Sequence, residues 1–215
     1  AASDVYKRQK VIYPKFKKVL EERTKYITVV IEDPIRSQNA SAVIRTCDCF
    51  GIQDIHVIAN NNAYELSKDV AMGAEKWVDM HSYFQKENNS QDCLDSIKSQ
   101  GFQIVATTPH TSDVILPEFD VTKKSAFFFG TERDGLSDMV LDQADVFLRI
   151  PMYGFTESYN ISVSAALVLH DVVTRLKKSE VNWHLSDEEV LDKLKEKNLS
   201  PEDLKKIYED LQKKK

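Results

Sequence analysis

From residue 26 onward the chain alternates short β-branched or aromatic runs with segments of helical periodicity, and this alternation limits the fold more than any other feature. The runs are YITVVIE (26–32), DIHVIA (54–59), FQIVAT (102–107), SAFFF (125–129) and VFLRI (146–150). They are nearly continuous in apolar character, which suits strands covered on both faces. Helical patterns fall between them at 39–50, 65–73, 91–100 and 137–143, followed by a longer one at 160–178. Strands that alternate with helices predict an α/β fold with a mainly parallel sheet flanked by helices. Asp33-Pro34 breaks the chain after the first run, Gly51 stands just past the first helix, and Asn160 is placed to cap the last. Asn39 is expected at the cap of the first helix and Arg45 well inside it.

The chain has 215 residues, of which 42% are hydrophobic and 29% charged, an ordinary globular composition. No apolar run approaches the roughly 18–20 residues that a spanning helix needs, so no membrane partner is expected. Cys47, Cys49 and Cys93 are odd in number and two lie one residue apart, which argues against a disulfide framework and for a reducing, cytoplasmic compartment. The opening AASDVYKRQK lacks an apolar core and a cleavage signature, and reads as a truncated, processed or foreign start.

Charge is unevenly spread within a net of −5: residues 1–25 hold 8 Lys/Arg against 3 Asp/Glu, whereas residues 26–174 hold 10 against 21. A basic head on an acidic body can still track phosphates, because only the local patch has to neutralise them. Three parts are expected: a basic helical extension over 1–25 with Lys15, Lys17, Lys18, Arg23 and Lys25; a main domain over 26–178; and a helical extension over 179–215. In the last, Ser186 to Glu189 forms a capping-box pattern, and Ser200-Pro201 opens a second helix.

Motifs exclude several chemistries. There is no G-x-x-x-x-G-K-[ST], no G-x-G-x-x-G and no G-x-S-x-G, which disfavours P-loop, typical dinucleotide and common serine-hydrolase sites. Cys47-Asp48-Cys49 lacks a second ligand pair and fits a helix with Cys47 buried, and the five histidines are scattered, so no metal is expected. Three segments remain: NASAVIRTCDCFG (39–51), FFGTERDGLS (128–137) and IPMYGFTESYNISVSAALVLHD (150–171). The second is a buried strand that breaks into a polar loop with two glycines, where a ligand can approach the backbone.

In order and in spacing, these three segments resemble the signature motifs of the SpoU/TrmH family of trefoil-knot RNA 2′-O-ribose methyltransferases. Weaker similarity runs through Glu75-Lys76-Trp77-Val78, so the resemblance spans about residues 14–185. Tyr159 stands where the family commonly has Leu, and Ile35 to Gln38 is an unusual lead-in to Asn39. The resemblance implies a C-terminal deep trefoil knot, an exception to the rule against knotted chains. It implies S-adenosyl-L-methionine as cofactor, held by the knot loops at Thr107, Gly130, Ile150 and Tyr159. The catalytic positions it implies are Arg45, Asn39, Glu132, Ser158 and Asn160. The family gives Arg45 the central role in activating the ribose hydroxyl with help from the substrate phosphate. A guanidinium is a poor base, however, and gripping the phosphate while stabilising the forming alkoxide is the alternative.

The resemblance also implies a homodimer whose interface includes the helix after Asn160, with Ala165, Ala166, Leu167 and Leu169 suited to close packing. The basic head and helical tail resemble the layout of members that methylate the guanosine-18 ribose of the tRNA D-loop. A ribosomal RNA methyltransferase of the same family and a non-catalytic RNA-binding homologue are the alternatives.

Overall fold

The structure, a computed structural model, describes residues 16–85, 88–110 and 113–196. It contains two compact units, one of them Lys25–Trp183 and the other combining residues before 25 with those from His184 onward. The larger unit is built on a seven-stranded, wholly parallel sheet. Its strands are β1 (Ile27–Glu32), β2 (Asp54–Ile58), β3 (Asp79–Tyr83), β4 (Gln103–Thr107), β5 (Val114–Ile115), β6 (Ser125–Phe129) and β7 (Val146–Arg149), in the spatial order β3-β2-β1-β6-β4-β7-β5. Its helices are α1 (Ser37–Cys49), α2 (Lys68–Ala71), α3 (Asn89–Ser99), α4 (Asp138–Leu141) and α5 (Ile161–Leu176).

Period-two alternation divides the strands between two apolar layers. Ile27, Val29 and Ile31 of β1 and Phe127 and Phe129 of β6 pack with Val43, Ile44 and Cys47 of α1 and Val168, Leu169 and Val172 of α5. Val30, Ala126 and Phe128 face the other way, against Cys93, Leu94 and Ile97 of α3 and Val140 of α4. Phe127 and Phe128 are fully buried neighbours that point to opposite layers, and each contributes about 1.5–3 kcal/mol by leaving water. With both faces covered, the strands become the near-continuous apolar runs seen in the sequence.

Two strands lack such runs. β3 reads DMHSY and is only half-buried at an edge, and β5 has two residues. The five expected strands are present. The cap of α1 differs from expectation: Arg36 holds the cap position and Asn39 lies in the first helical turn, because Pro34 leaves room for only two residues before helical geometry begins. Asn160 does cap α5, its side-chain oxygen accepting from the Ser162 N–H at 2.9 Å.

The chain order places β6 between β1 and β4, so the sheet changes winding direction beside β1. In parallel α/β sheets, ligands bind outside the carboxyl ends of strands at such a switch. The loops that leave β1, β4, β6 and β7 all emerge at that end, and they carry the three motifs.

In the smaller unit, Leu20 packs with Leu185, Val190 and Leu194. Its helix α6 (Asp187–Glu196) opens with the expected capping box, in which the Ser186 N–H donates to Glu189 and the Glu189 N–H donates to Ser186. Lys15 and the helix expected from Ser200 lie outside the described residues.

Candidate active site

Tight turns at the carboxyl ends of β6 and β4 build the centre of the site. After Phe129, the segment 130–135 folds back on itself through paired backbone hydrogen bonds between Thr131 and Gly135 of 2.8 and 3.2 Å. Gly135 takes φ +76°, which favours glycine. Gly130 is required for a different reason: a Cβ there would lie 2.1 Å from the Gly135 carbonyl carbon and oxygen and 2.3 Å from the Leu136 nitrogen. Thr107, at the end of β4, donates its hydroxyl to the Phe128 carbonyl at 2.7 Å and ties the two strand ends together.

These turns wall a cavity of about 670 Å³, which Thr107, Gly130, Ile150 and Tyr159 all line, together with Glu132 and Ser158. Leu136, Leu141, Phe147 and Met152 add apolar surface, while Asp113 and Asp134 add carboxylates. The sequence reading missed these six residues. Arg133 and His110 line the cavity as well, so the wall combines apolar surface, three carboxylates and a guanidinium, and fits an adenosine that carries a sulfonium, an amino group and a carboxylate.

Beside the cavity, three of the expected catalytic residues form one hydrogen-bonded chain. The Asn160 amide donates to Asn39 Oδ1 at 3.3 Å, and the Asn39 amide donates to Glu132 Oε1 at 2.7 Å. Glu132 Oε2 accepts from the Ile35 N–H at 3.3 Å. The chain links the starts of α1 and α5 to the 131–135 turn across sequence separations of 93 and 121 residues, which no local pattern reveals. Ser158 is exposed at the cavity wall.

Arg45 stands apart. It is exposed on α1, six residues beyond Asn39, which places it about 9 Å further along the axis and about 120° around it. It does not line the cavity, and its guanidinium has no hydrogen bond or ion pair with another described residue. The same freedom holds for Arg36, Arg133 and Arg149, the other arginines of residues 26–174.

Two carboxylates that the sequence reading used only as a strand end and a breaker organise the surrounding loops. Glu32 is buried and accepts from the Ser90 hydroxyl at 2.6 Å, the Ser137 N–H at 2.9 Å and the Ser137 hydroxyl at 2.7 Å. Asp33, at φ +52°, accepts from the backbone N–H groups of Asn60, Asn61 and Asn62 at 2.8–3.0 Å.

A parallel sheet with its cavity at the switch point defines the class of α/β ligand-binding folds, and comparison with known proteins supplies the family. The model of the SpoU rRNA Methylase family matches residues 26–170, and the chain belongs to that family and is a methyltransferase. It is 43% identical to the tRNA (guanosine(18)-2′-O)-methyltransferase of Borreliella burgdorferi, over 81% of this chain and 78% of that protein. The enzyme of the same name from Aquifex aeolicus is 31% identical over 82% of this chain and 83% of its own length. The crystal structure of the A. aeolicus TrmH/SpoU tRNA modifying enzyme superposes with a TM-score of 0.73 at 30% identity, covering 93% of this chain and 98% of that one. The expected fold class, a SPOUT α/β knot, stands with that match, since the SpoU fold carries the C-terminal trefoil knot.

Proposed function

We propose that this chain transfers a methyl group from S-adenosyl-L-methionine to the 2′-hydroxyl of a tRNA ribose, that of guanosine 18 in the D-loop. The observation that carries the reading is the hydrogen-bonded chain Asn160–Asn39–Glu132, set against a cavity that all four cofactor-binding candidates line. The tRNA and the nucleotide follow the relatives from B. burgdorferi and A. aeolicus, whose printed names specify both.

When bound, the cofactor supplies a methyl on a sulfonium, which leaves as a neutral thioether when the ribose oxygen takes the methyl. What remains for the protein is alignment and disposal of the hydroxyl proton. Thr107, Gly130, Ile150 and Tyr159 hold the cofactor, largely through backbone groups that the glycine turn exposes. Glu132 accepts two donors and serves as the fixed end of a strut that holds α1 against the cofactor loops. Asn39 and Asn160 transmit that constraint, and Ser158 orients the ribose at the cavity mouth.

Arg45 grips the phosphate beside the reacting ribose and stabilises the oxygen as its proton passes to solvent water at the open cavity mouth. A guanidinium retains its own proton at neutral pH and suits this role better than that of a base. Four exposed guanidiniums with no partner among the described residues, on an otherwise acidic body, are the footprint expected for a phosphate backbone. The terminal extensions, 1–25 and 179–215, add further contacts to tRNA.

The reading includes a cytoplasmic homodimer. On α5, Val163 and Leu167 recur at helical spacing and are 44% and 38% exposed, an apolar stripe on a helix whose opposite face fills the core. Ala165 and Leu169, expected in the interface, are fully buried within their own chain, which leaves Leu167 and Val163 for the partner. A second copy that covers this stripe supplies the Arg45 that one chain leaves away from its own cavity.

The test is to incubate the protein with methyl-labelled cofactor and either bulk tRNA or ribosomal RNA, then map the modified ribose. Label at guanosine 18 of tRNA is expected. Label confined to ribosomal RNA would establish the other substrate, and no label, with no heat on titrating the cofactor, would establish a non-catalytic homologue.

A further inference from the structure

The Glu32 carboxylate lies in the larger unit at the end of the inner strand β1, buried and with no cation beside it among the described residues. Burying a charge is costly unless it is fully hydrogen-bonded. Here all three of its partners are donors, from the 130–137 loop and from the first turn of α3, which are far apart in sequence. Ser137 gives both its N–H and its hydroxyl, at separations of 105 residues, and Ser90 gives its hydroxyl at a separation of 58. Ser90 in turn accepts from the Asn60 amide at 2.8 Å, and Asn60 Oδ1 accepts from Asn89 at 3.1 Å. Ser137 ends the segment that began at Gly130, so one end of the cavity-lining turn is fixed to the β6 terminus and the other to Glu32.

We infer that Glu32 is a positioning residue for the cofactor loop 130–137, coupling it through Ser90 and Asn60 to the first turn of α3 and the loop that follows β2. The inference rests on the cofactor reading above. It does not extend to Glu32 touching any ligand: Glu32, Ser90 and Asn60 are absent from the cavity wall, whereas 130–136 form a large part of it. Neighbouring Asp33 fixes 60–62 independently through backbone donors, so the role assigned to Glu32 is separable from the general stability of that edge. The geometry suits a carboxylate, or an amide turned one way only. Both of its oxygens meet donors, and one of those is a backbone N–H that cannot turn around to accept.

An amide can still be accommodated. Glu32→Gln can give its oxygen to the Ser137 N–H and donate its NH2 to the two serine hydroxyls, which rotate to accept, whereas Glu32→Ala leaves all three donors without their partner. Two readouts test this on the full chain. Hydrogen exchange on the ligand-free protein reads the loop directly: the amides of Thr131, Gly135 and Ser137 should exchange at least about tenfold faster in Glu32→Ala, and within about threefold of wild type in Glu32→Gln. Calorimetry with S-adenosylmethionine and its demethylated product should show affinity about tenfold weaker in Glu32→Ala. The KM for cofactor should rise by a similar factor and kcat should change less. Ser137→Ala keeps the N–H bond to Glu32 and loses the hydroxyl bond to it together with the cap on the Val140 N–H, so it is read at Thr131 and Gly135, away from α4; there it should fall between wild type and Glu32→Ala, and it carries the test if Glu32→Ala does not fold.

Unchanged exchange at 131–137 in Glu32→Ala, or at Thr131 and Gly135 in Ser137→Ala where the former is unfolded, overturns the inference. A wild-type protein that binds no cofactor overturns the functional reading instead, and the exchange measurement still decides the role of Glu32.

Discussion

The 130–137 loop and the helix that carries Arg45 follow neighbouring strands, β6 and β1, yet one copy of the chain completes them to different degrees. The loop is fixed at both ends and across its middle, by the Thr131–Gly135 pairing, by Glu32 and by the Asn39 amide on Glu132. Among the described residues, no hydrogen bond or ion pair holds the Arg45 guanidinium. A pocket for a cofactor must exist before the substrate arrives, and preorganising it lowers the cost of binding. A group that meets a phosphate gains from staying unpaired until the phosphate comes, because an internal salt bridge would compete with it. On the proposed function, the difference separates cofactor binding, built within one chain, from substrate alignment, which draws on other molecules.

Arg45→Ala should produce the largest effect and the most one-sided. Turnover with RNA should fall by at least about a thousandfold, the scale seen when a transition-state charge loses its stabilising donor. Cofactor affinity by calorimetry should stay within about threefold, since Arg45 is outside the cavity wall. Turnover that survives within about tenfold, roughly 1.4 kcal/mol of barrier, would remove Arg45 from the chemistry.

Gly130→Ala should act on the other side of the comparison. Its Cβ would meet backbone atoms at 2.1–2.3 Å, and backbone cannot swing away as a side-chain tip can. The turn must shift, and cofactor affinity should weaken by about a hundredfold, the cost of overpacking a fixed site. The two variants also sharpen the question of which copy supplies Arg45. Mixed and reassembled, two inactive dimers of this pair should regain about a quarter of wild-type activity if each site takes Arg45 from one copy and Gly130 from the other. Mixing that restores nothing would place both residues of a site in one chain.

How far the sequence foretold this arrangement depends on the range of the forces involved. Period and composition located β1, β2, β4, β6 and β7, because strands buried on both faces become apolar runs. They could not locate β3, whose His81 and Ser82 are exposed at an edge, nor the two-residue β5. The strand order was not legible either, since the insertion of β6 between β1 and β4 is decided by packing over distances no window spans. Asn39, Glu132 and Asn160 were reached through the motif resemblance, and only the fold shows that they touch. Glu32 was passed over as the last letter of an apolar run. A lone acid that closes such a run, immediately before an Asp-Pro break, is the signal that would have found it, since a buried carboxylate there requires donors from elsewhere.

A third region should leave turnover at neutral pH unaltered, and its value lies in that independence. At the other side of the sheet, His56 on β2 is buried, with its Nδ1 3.0 Å from the Tyr83 hydroxyl and its ring stacked on His81 at 4.6 Å. His81 pairs with Asp54 at 3.1 Å, and Lys25 lies 3.5 Å from Asp54 and 3.7 Å from Asp79. Burial, and then the neighbouring His81, push the His56 imidazole down from 6.5 to about 4. Between those values the unfolded chain takes up a proton that the folded chain refuses. Stability is therefore fully present above pH 6.5 and falls as the pH drops toward 4, by up to about 1.4 kcal/mol per pH unit. Denaturant titrations at a series of pH values should show that slope in the wild type and a flatter one in His56→Gln, whose amide does not titrate. Both proteins should bind cofactor equally well at pH 7. An equal slope in the two would mean that His56 is protonated in the folded state, and a loss of cofactor affinity in His56→Gln would mean that the His56 cluster, and not the Glu32 contacts alone, is coupled to the loops beyond β4, β6 and β7.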